Sequence, residues 1–179
     1  MQPKAPSSAP TPGPGPATGK VLLLGLGNDI LTDDAIGLYV ARRLREQAGD
    51  LPGVDIRETT EMGLALLDFI TGYTTVLIVD SIQTGRAEVG TIHELEPSAL
   101  EQLSGRTPHF VGVGETLALG RKLGLAMPEE VKIFAMEVAD PFTLGTEMTP
   151  AVKAAAPGIV ARVRVALEAA GKARRERAE

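Results

Sequence analysis

The 179-residue chain is long enough for one domain with a sizeable core, and its 44% hydrophobic content is ordinary for a globular protein. A net charge of −5 without a long basic stripe argues against nucleic acid as a partner, and the lack of cysteine removes disulfides, zinc–thiolate centres and a cysteine nucleophile together, which fits a reducing, cytoplasmic setting. No apolar run approaches the roughly 20 residues of a membrane span, and the first residues lack the apolar stretch of a secretory signal, so neither membrane nor export is expected.

Residues 1–20 hold six prolines among Ala, Ser and Gly. They bury too little apolar surface to offset their ordering entropy and are expected to form a disordered tail. The single domain is expected over residues 21–171. It opens on the stretch that organises the rest, VLLLGLGNDILTDDAIGLYVARR from Val21 to Arg43. The apolar run predicts a buried strand, and Gly25 and Gly27 allow a sharp turn. Thr32-Asp33-Asp34 then begins an amphipathic helix reaching Gln47, with Thr32 as N-cap and the acids at the positive end of the macrodipole. Ile36, Val40 and Leu44 fall on its inner face.

Val54–Glu58 reads as a short strand and Met62–Ile70 as a second helix, stopped by Gly72. The β-branched run Thr75–Val79 predicts a central parallel strand ending at Asp80. After a turn over Gly85–Gly90, Thr91–Leu95 alternates as an edge strand should, and the tight connection makes it antiparallel. Pro97–Leu103 predicts a short helix, Ser104–Pro108 a polar loop ending at His109, Gly112–Leu123 a helix and Val131–Met136 the last strand. Asp140–Thr149 is a long loop. A final helix begins near Pro150, where proline fits the first turn; Pro157 is expected to kink or restart it, and residues 172–179 to fray as a charged end. This order predicts an α/β fold, a three-layer α/β/α sandwich around a mostly parallel five-stranded sheet with one antiparallel strand.

Three polar residues fall where such a sheet binds ligands, outside the carboxyl ends of its strands. Asp34 opens the first helix, Asp80 ends the third strand and His109 sits at a loop-to-helix junction. Two carboxylates and an imidazole suit a borderline divalent cation such as nickel, zinc or manganese, and three protein ligands leave positions open for water or another protein's atoms. Each residue also has a plainer use. Asp34 suits the helix dipole equally well, and His109 suits an exposed surface. Asp80 is harder to explain away, because a carboxylate at the end of a central strand is costly to bury without a partner. Asp33 is either the solvated acid of its pair or a ligand for further donors. Asn28 either bonds its own loop, as Asn does in turns, or holds a substrate main chain. His93, within the alternating edge strand, reads as exposed and structural.

A dinucleotide-binding enzyme is the weaker alternative. Gly25-Leu-Gly27 follows a strand and Glu58 ends the next one, as a ribose-binding acid would. However, Ile30 replaces the third glycine, and Asp33 and Asp34 would repel a pyrophosphate at the helix N-terminus. No G-x-S-x-G elbow is present.

The runs GLGNDILTDDAIGLYVARRL, LIVDSI and TPHFVGVGETLAL, in that order, resemble the nickel-iron hydrogenase maturation endopeptidases across about residues 21–165. The resemblance implies metal binding by an acid of the first motif, an aspartate after a central strand and a histidine before a helix. These fall on Asp34, Asp80 and His109, the three residues already singled out. It also implies an activity, namely removal of the C-terminal extension of a hydrogenase large-subunit precursor after nickel insertion. The nickel would then arrive with the precursor, with another divalent metal as substitute. Asp34 stands where some relatives carry Glu, Ala35 where many carry Gly, and Thr59-Thr60-Glu61-Met62-Gly63 replaces a glycine-rich stretch. Glu61 and the Asp140–Thr149 loop are therefore the residues expected to select the partner, and Asn28, Asp33 and Glu61 those expected to touch it. A non-cleaving chaperone that senses the metal-loaded precursor would use the same ligands.

Overall fold

The computed structural model describes residues 19–47, 51–102 and 113–178. Of the expected tail, only Gly19 and Lys20 fall among them, and the Lys20 carbonyl accepts a bond from the Thr74 amide at 2.9 Å. The sheet comprises β1 (Val21–Leu26), β2 (Val54–Thr59), β3 (Thr75–Ile82), β4 (Ile92–Leu95) and β5 (Glu130–Glu137), in the order β2-β1-β3-β5-β4. The pairs β1–β2, β1–β3 and β3–β5 are parallel, and β4 runs antiparallel along β5. The expected sheet, with one reversed strand at its edge, is the one the chain forms.

Side-chain alternation explains the layers. Val21 and Leu23 of β1 and Leu77 and Val79 of β3 pack on one face, beneath α1 (Ile36–Gln47) and α4 (Pro150–Ala178). Leu22, Leu24 and Leu26, with Val76, Ile78 and Ile82, pack on the other, beneath α2 (Leu67–Ile70) and α3 (Val113–Lys122). All of these side chains are essentially inaccessible to water, and each contributes about 1.5–3 kcal/mol by leaving it.

Some local expectations give way to long-range contacts. The second helix is mostly a 3₁₀ turn, Gly63–Leu66, with only Leu67–Ile70 α-helical. The segment over residues 97–102 is likewise 3₁₀. β3 does not stop at Asp80 but continues to Ile82, because Asp80, Ser81 and Ile82 stay in register with Ala135, Met136 and Glu137. Pro157 lies inside one continuous helix. Its ring faces solvent, and the stripe Val152, Ala156, Ile159, Val163 and Leu167 is buried on both sides of it, so packing outweighs the one lost backbone bond. The charged C-terminal end does not fray where expected. α4 runs to Ala178, and Arg174 reaches across to donate to the Pro52 carbonyl at 3.2 Å.

α1 lies unusually close to the sheet. A Cβ on Gly37 would sit 2.1 Å from the Leu26 carbonyl oxygen and 2.4 Å from that of Val79; one on Gly25 would sit 2.3 Å from the Gly37 carbonyl oxygen. These neighbours are backbone and cannot swing aside. Gly37→Ala should therefore destabilise the domain by about 3 kcal/mol or more, the upper end of overpacking costs, whereas Gly158→Ala, in open space on α4, should stabilise it by roughly 0.5–1 kcal/mol. Urea unfolding of the two variants checks both signs.

Candidate functional site

The order β2-β1-β3 means that the chain leaves β1 in one direction and returns to its other side. The carboxyl ends of β1 and β3 thus flank the point where the winding reverses, the usual ligand crevice of an open α/β sheet. β1 ends in Leu26, and Gly27 adopts φ 149 so close to the start of α1 that a Cβ would lie 2.1 Å from the Asp34 carbonyl oxygen. Asn28 turns its side chain on its own loop, where its Oδ1 accepts the Ile30 amide at 3.2 Å.

The helix does not start as expected. Thr32 is in the α region and its side chain makes no capping bond; Asp33–Ala35 form a 3₁₀ turn before α1. The Thr32 hydroxyl instead donates to the Asp140 carbonyl. Asp33 is not the solvated acid. It is 0% exposed and its carboxylate points at the loop after β5. Its Oδ1 accepts the Thr149 amide at 2.7 Å, and its Oδ2 accepts the Asp140 and Ala139 amides at 2.8 and 3.2 Å and the Thr149 hydroxyl at 3.0 Å. Asp33 therefore spends its acceptors on the protein itself rather than offering them to a substrate. Backbone bonds from Thr32 to Thr143, from Asp33 to Asp140 and from Gly145 to Ile30, with a bridge between Leu31 and Leu144, complete the seam. Within that loop, the Thr143 hydroxyl first, then the Thr143 and Phe142 amides, hold the Asp140 carboxyl below the usual carboxylate range. Its turn is thus favoured at pH above that range, and the contribution is lost as pH falls from that range down through the lowered folded value.

Asp34 and Asp80 are also fully buried, and the same residue touches both. The Ser81 hydroxyl donates to Asp34 Oδ1 at 2.7 Å, and the Ser81 amide donates to Asp80 Oδ1 at 2.7 Å. The two acids, distant in sequence, thus share one corner of the sheet. Ser81 escaped the sequence reading, although a polar residue inside a buried strand must find a partner. Glu61 is exposed just beyond β2, its amide bonded to the Thr59 hydroxyl at 3.0 Å. His109 lies outside the described residues. Among those described, no three His, Asp or Glu side chains are grouped as a metal site. The buried carboxylates of Asp34 and Asp80 present hard oxygen donors.

His93 is less exposed than expected. Its side chain is 22% accessible, with Nε2 3.4 Å from Glu137 Oε2. Glu137, itself buried, also accepts the amides of Thr84 and Gly85 and the Thr84 hydroxyl. The dinucleotide alternative fares poorly. Glu58, its would-be ribose ligand, is paired with Arg42 at 3.1 Å and Arg45 at 3.7 Å, and the helix start carries the two buried acids.

The chain matches the model of the hydrogenase maturation protease family over residues 38–165. It is 28% identical over 155 residues to the hydrogenase 2 maturation protease of Escherichia coli K12, covering 85% of this chain and 93% of that protein. It is 25% identical over 151 residues to the hydrogenase expression/formation protein HupD of Rhizobium leguminosarum bv. viciae, covering 83% of this chain and 73% of that one. Among solved structures, the hydrogenase maturating endopeptidase HybD from E. coli superposes with a TM-score of 0.73 at 27% identity, covering 85% of this chain and 94% of the other.

The seam held by Asp33 gives a direct test. In Asp33→Asn an amide N–H₂ must face backbone N–H donors or leave some of them unsatisfied, so the domain should lose about 1–3 kcal/mol. Hydrogen exchange should show the amides of Ala139, Asp140 and Thr149 losing protection before those of β1 and β3.

Proposed function

This chain belongs to the hydrogenase maturation protease family, and on that premise we propose that it removes the C-terminal extension of a nickel-loaded nickel-iron hydrogenase large-subunit precursor. The observation that carries the reading is the meeting of Asp34 and Asp80 on Ser81 at the carboxyl end of β3. Buried carboxylates gathered in one place favour a cation, and here the cation is part of the substrate: nickel arrives inside the precursor. Asp34, Asp80 and His109 complete its coordination and so fix the scissile bond against the sheet edge. The bound metal supplies Lewis acidity, and one of the two carboxylates takes the proton of the attacking water. Glu61 and Asn28, at the same edge of the sheet, contact the precursor around the bond. Another divalent cation of similar ligand preference would substitute for nickel in recognition. Processing takes place in the cytoplasm; no helix among the described residues is long and apolar enough to cross a membrane.

Mass spectrometry of a nickel-loaded precursor incubated with the protein should show loss of its C-terminal segment, and a nickel-free precursor should stay whole. Binding without loss of mass would make the protein a chaperone instead. Asp80→Ala should abolish cleavage. Leaving the Ser81 amide without its acceptor costs about 1–3 kcal/mol, less than the 5–15 kcal/mol typical of a whole domain, so circular dichroism should show the variant folded. A folded Asp80→Ala protein that cuts normally removes the proposal.

A further inference from the structure

Ser81 stands where strand geometry, burial and hydrogen bonding converge. It is 1% exposed and lies on β3 in register with Met136 of β5, followed by Ile82 against Glu137, just past the point where the pairing with β1 ends at Val79. Alternation along β3 sends Ile78 and Ile82 to the α2/α3 face and Leu77 and Val79 to the α1/α4 face. Asp80 therefore belongs to the first face and Ser81 to the second, where the start of α1 brings Asp34 down onto it. The hydroxyl meets Asp34 Oδ1 at 2.7 Å, a full-strength O–H···O distance. The other bond, to Asp80, comes from the Ser81 amide and does not depend on the side chain. One residue on a rigid strand thus fixes an oxygen of each acid by two separable means.

We infer that Ser81 is a positioning residue for the processing reaction: its hydroxyl aims the Asp34 carboxylate at the nickel of the bound precursor, while its amide aims Asp80. The inference rests on the reading that both acids grip that nickel. Groups that orient a metal's carboxylate ligands typically carry about 10–100-fold of affinity or activity, and the same factor is expected here, confined to the hydroxyl. A carboxylate that turns away from the cation weakens capture of the nickel-loaded precursor. A hydroxyl that only satisfied the core would, once removed, reduce the number of active molecules without changing how each binds.

The two cases separate in steady-state cleavage of nickel-loaded precursor by Ser81→Ala, Ser81→Cys, Ser81→Thr and Asp34→Ala, with thermal unfolding of each and direct binding of nickel-loaded and nickel-free precursor. Ser81→Ala is expected to raise KM about 10–100-fold with kcat per folded molecule held, and to shrink the preference for nickel-loaded over nickel-free precursor by the same factor. Ser81→Cys, closer in volume with a weaker donor, should fall between alanine and wild type and serves in its place if the alanine variant does not fold. Ser81→Thr, which keeps the hydroxyl, should restore most of the affinity. An unchanged KM in the folded alanine or cysteine variant overturns the inference, whatever happens to kcat. So does a folded Ser81→Thr as weak as Ser81→Ala. Normal cleavage by Asp34→Ala overturns the underlying site reading instead, so the two failures are told apart.

Discussion

Helix α1 meets the sheet backbone against backbone. With no side chain on Gly37 or Gly25, the helix axis can approach until the Gly37 position lies against the carbonyls of Leu26 and Val79. The reach of Asp34 to Ser81 follows from that approach. A helix standing off by an ordinary layer of side chains would hold Asp34 beyond reach of a residue as short as Ser81. Here the helix begins directly over β3, and an aspartate and a serine bridge the gap in one bond.

The edge also concentrates negative charge to a degree that needs explaining. Asp33, Asp34, Asp80 and Glu137 are all essentially inaccessible, although burying an unsatisfied carboxylate is costly. The chain solves this in two ways. Asp33 and Glu137 are surrounded by backbone amides of the loops they hold, the ones after β5 and after β3. Such amides are fixed donors that need no further ordering, so these acids act as internal fasteners. Asp34 and Asp80 are oriented through a single strand residue. The fasteners hold the loops, and the oriented pair is the one proposed to carry the site's chemistry, a division invisible in composition, where all four are simply acids.

Much of the fold was legible because strands and helices announce themselves by period. The runs at Val21–Leu26 and Thr75–Val79, the alternation near His93 and the stripe of α1 depend on local sequence, and each element forms within a few residues of its expected bounds. The misses involve partners far along the chain. Thr32 has the identity of an N-cap, yet its hydroxyl goes to Asp140, a residue no local rule brings near. Asp33 and Asp34 are chemically identical neighbours, and only the path of the loop after β5 decides which turns to it. Asp80 reads as a strand end because a charge suits an end, but the pairing with β5 carries the strand past it. Pro157 reads as a kink or restart in isolation, and burial of the opposite stripe overrides it; the charged C-terminal end reads as fraying, and Arg174 instead bonds the Pro52 carbonyl across the fold. Ser81 is silent in the sequence because a small polar residue in an apolar run carries no signal until its neighbour across the fold is known.

The seam between the first loop and the one after β5 has a bearing on which molecule does the adapting. Those two loops form one wall of the crevice, and they are sewn together by side-chain and backbone bonds at several points along their length. A wall fastened in this way cannot fold over an incoming peptide as a flap would. For the proposed substrate, the entropy lost on complex formation would then fall mainly on the visiting polypeptide, which meets a jaw that is already set.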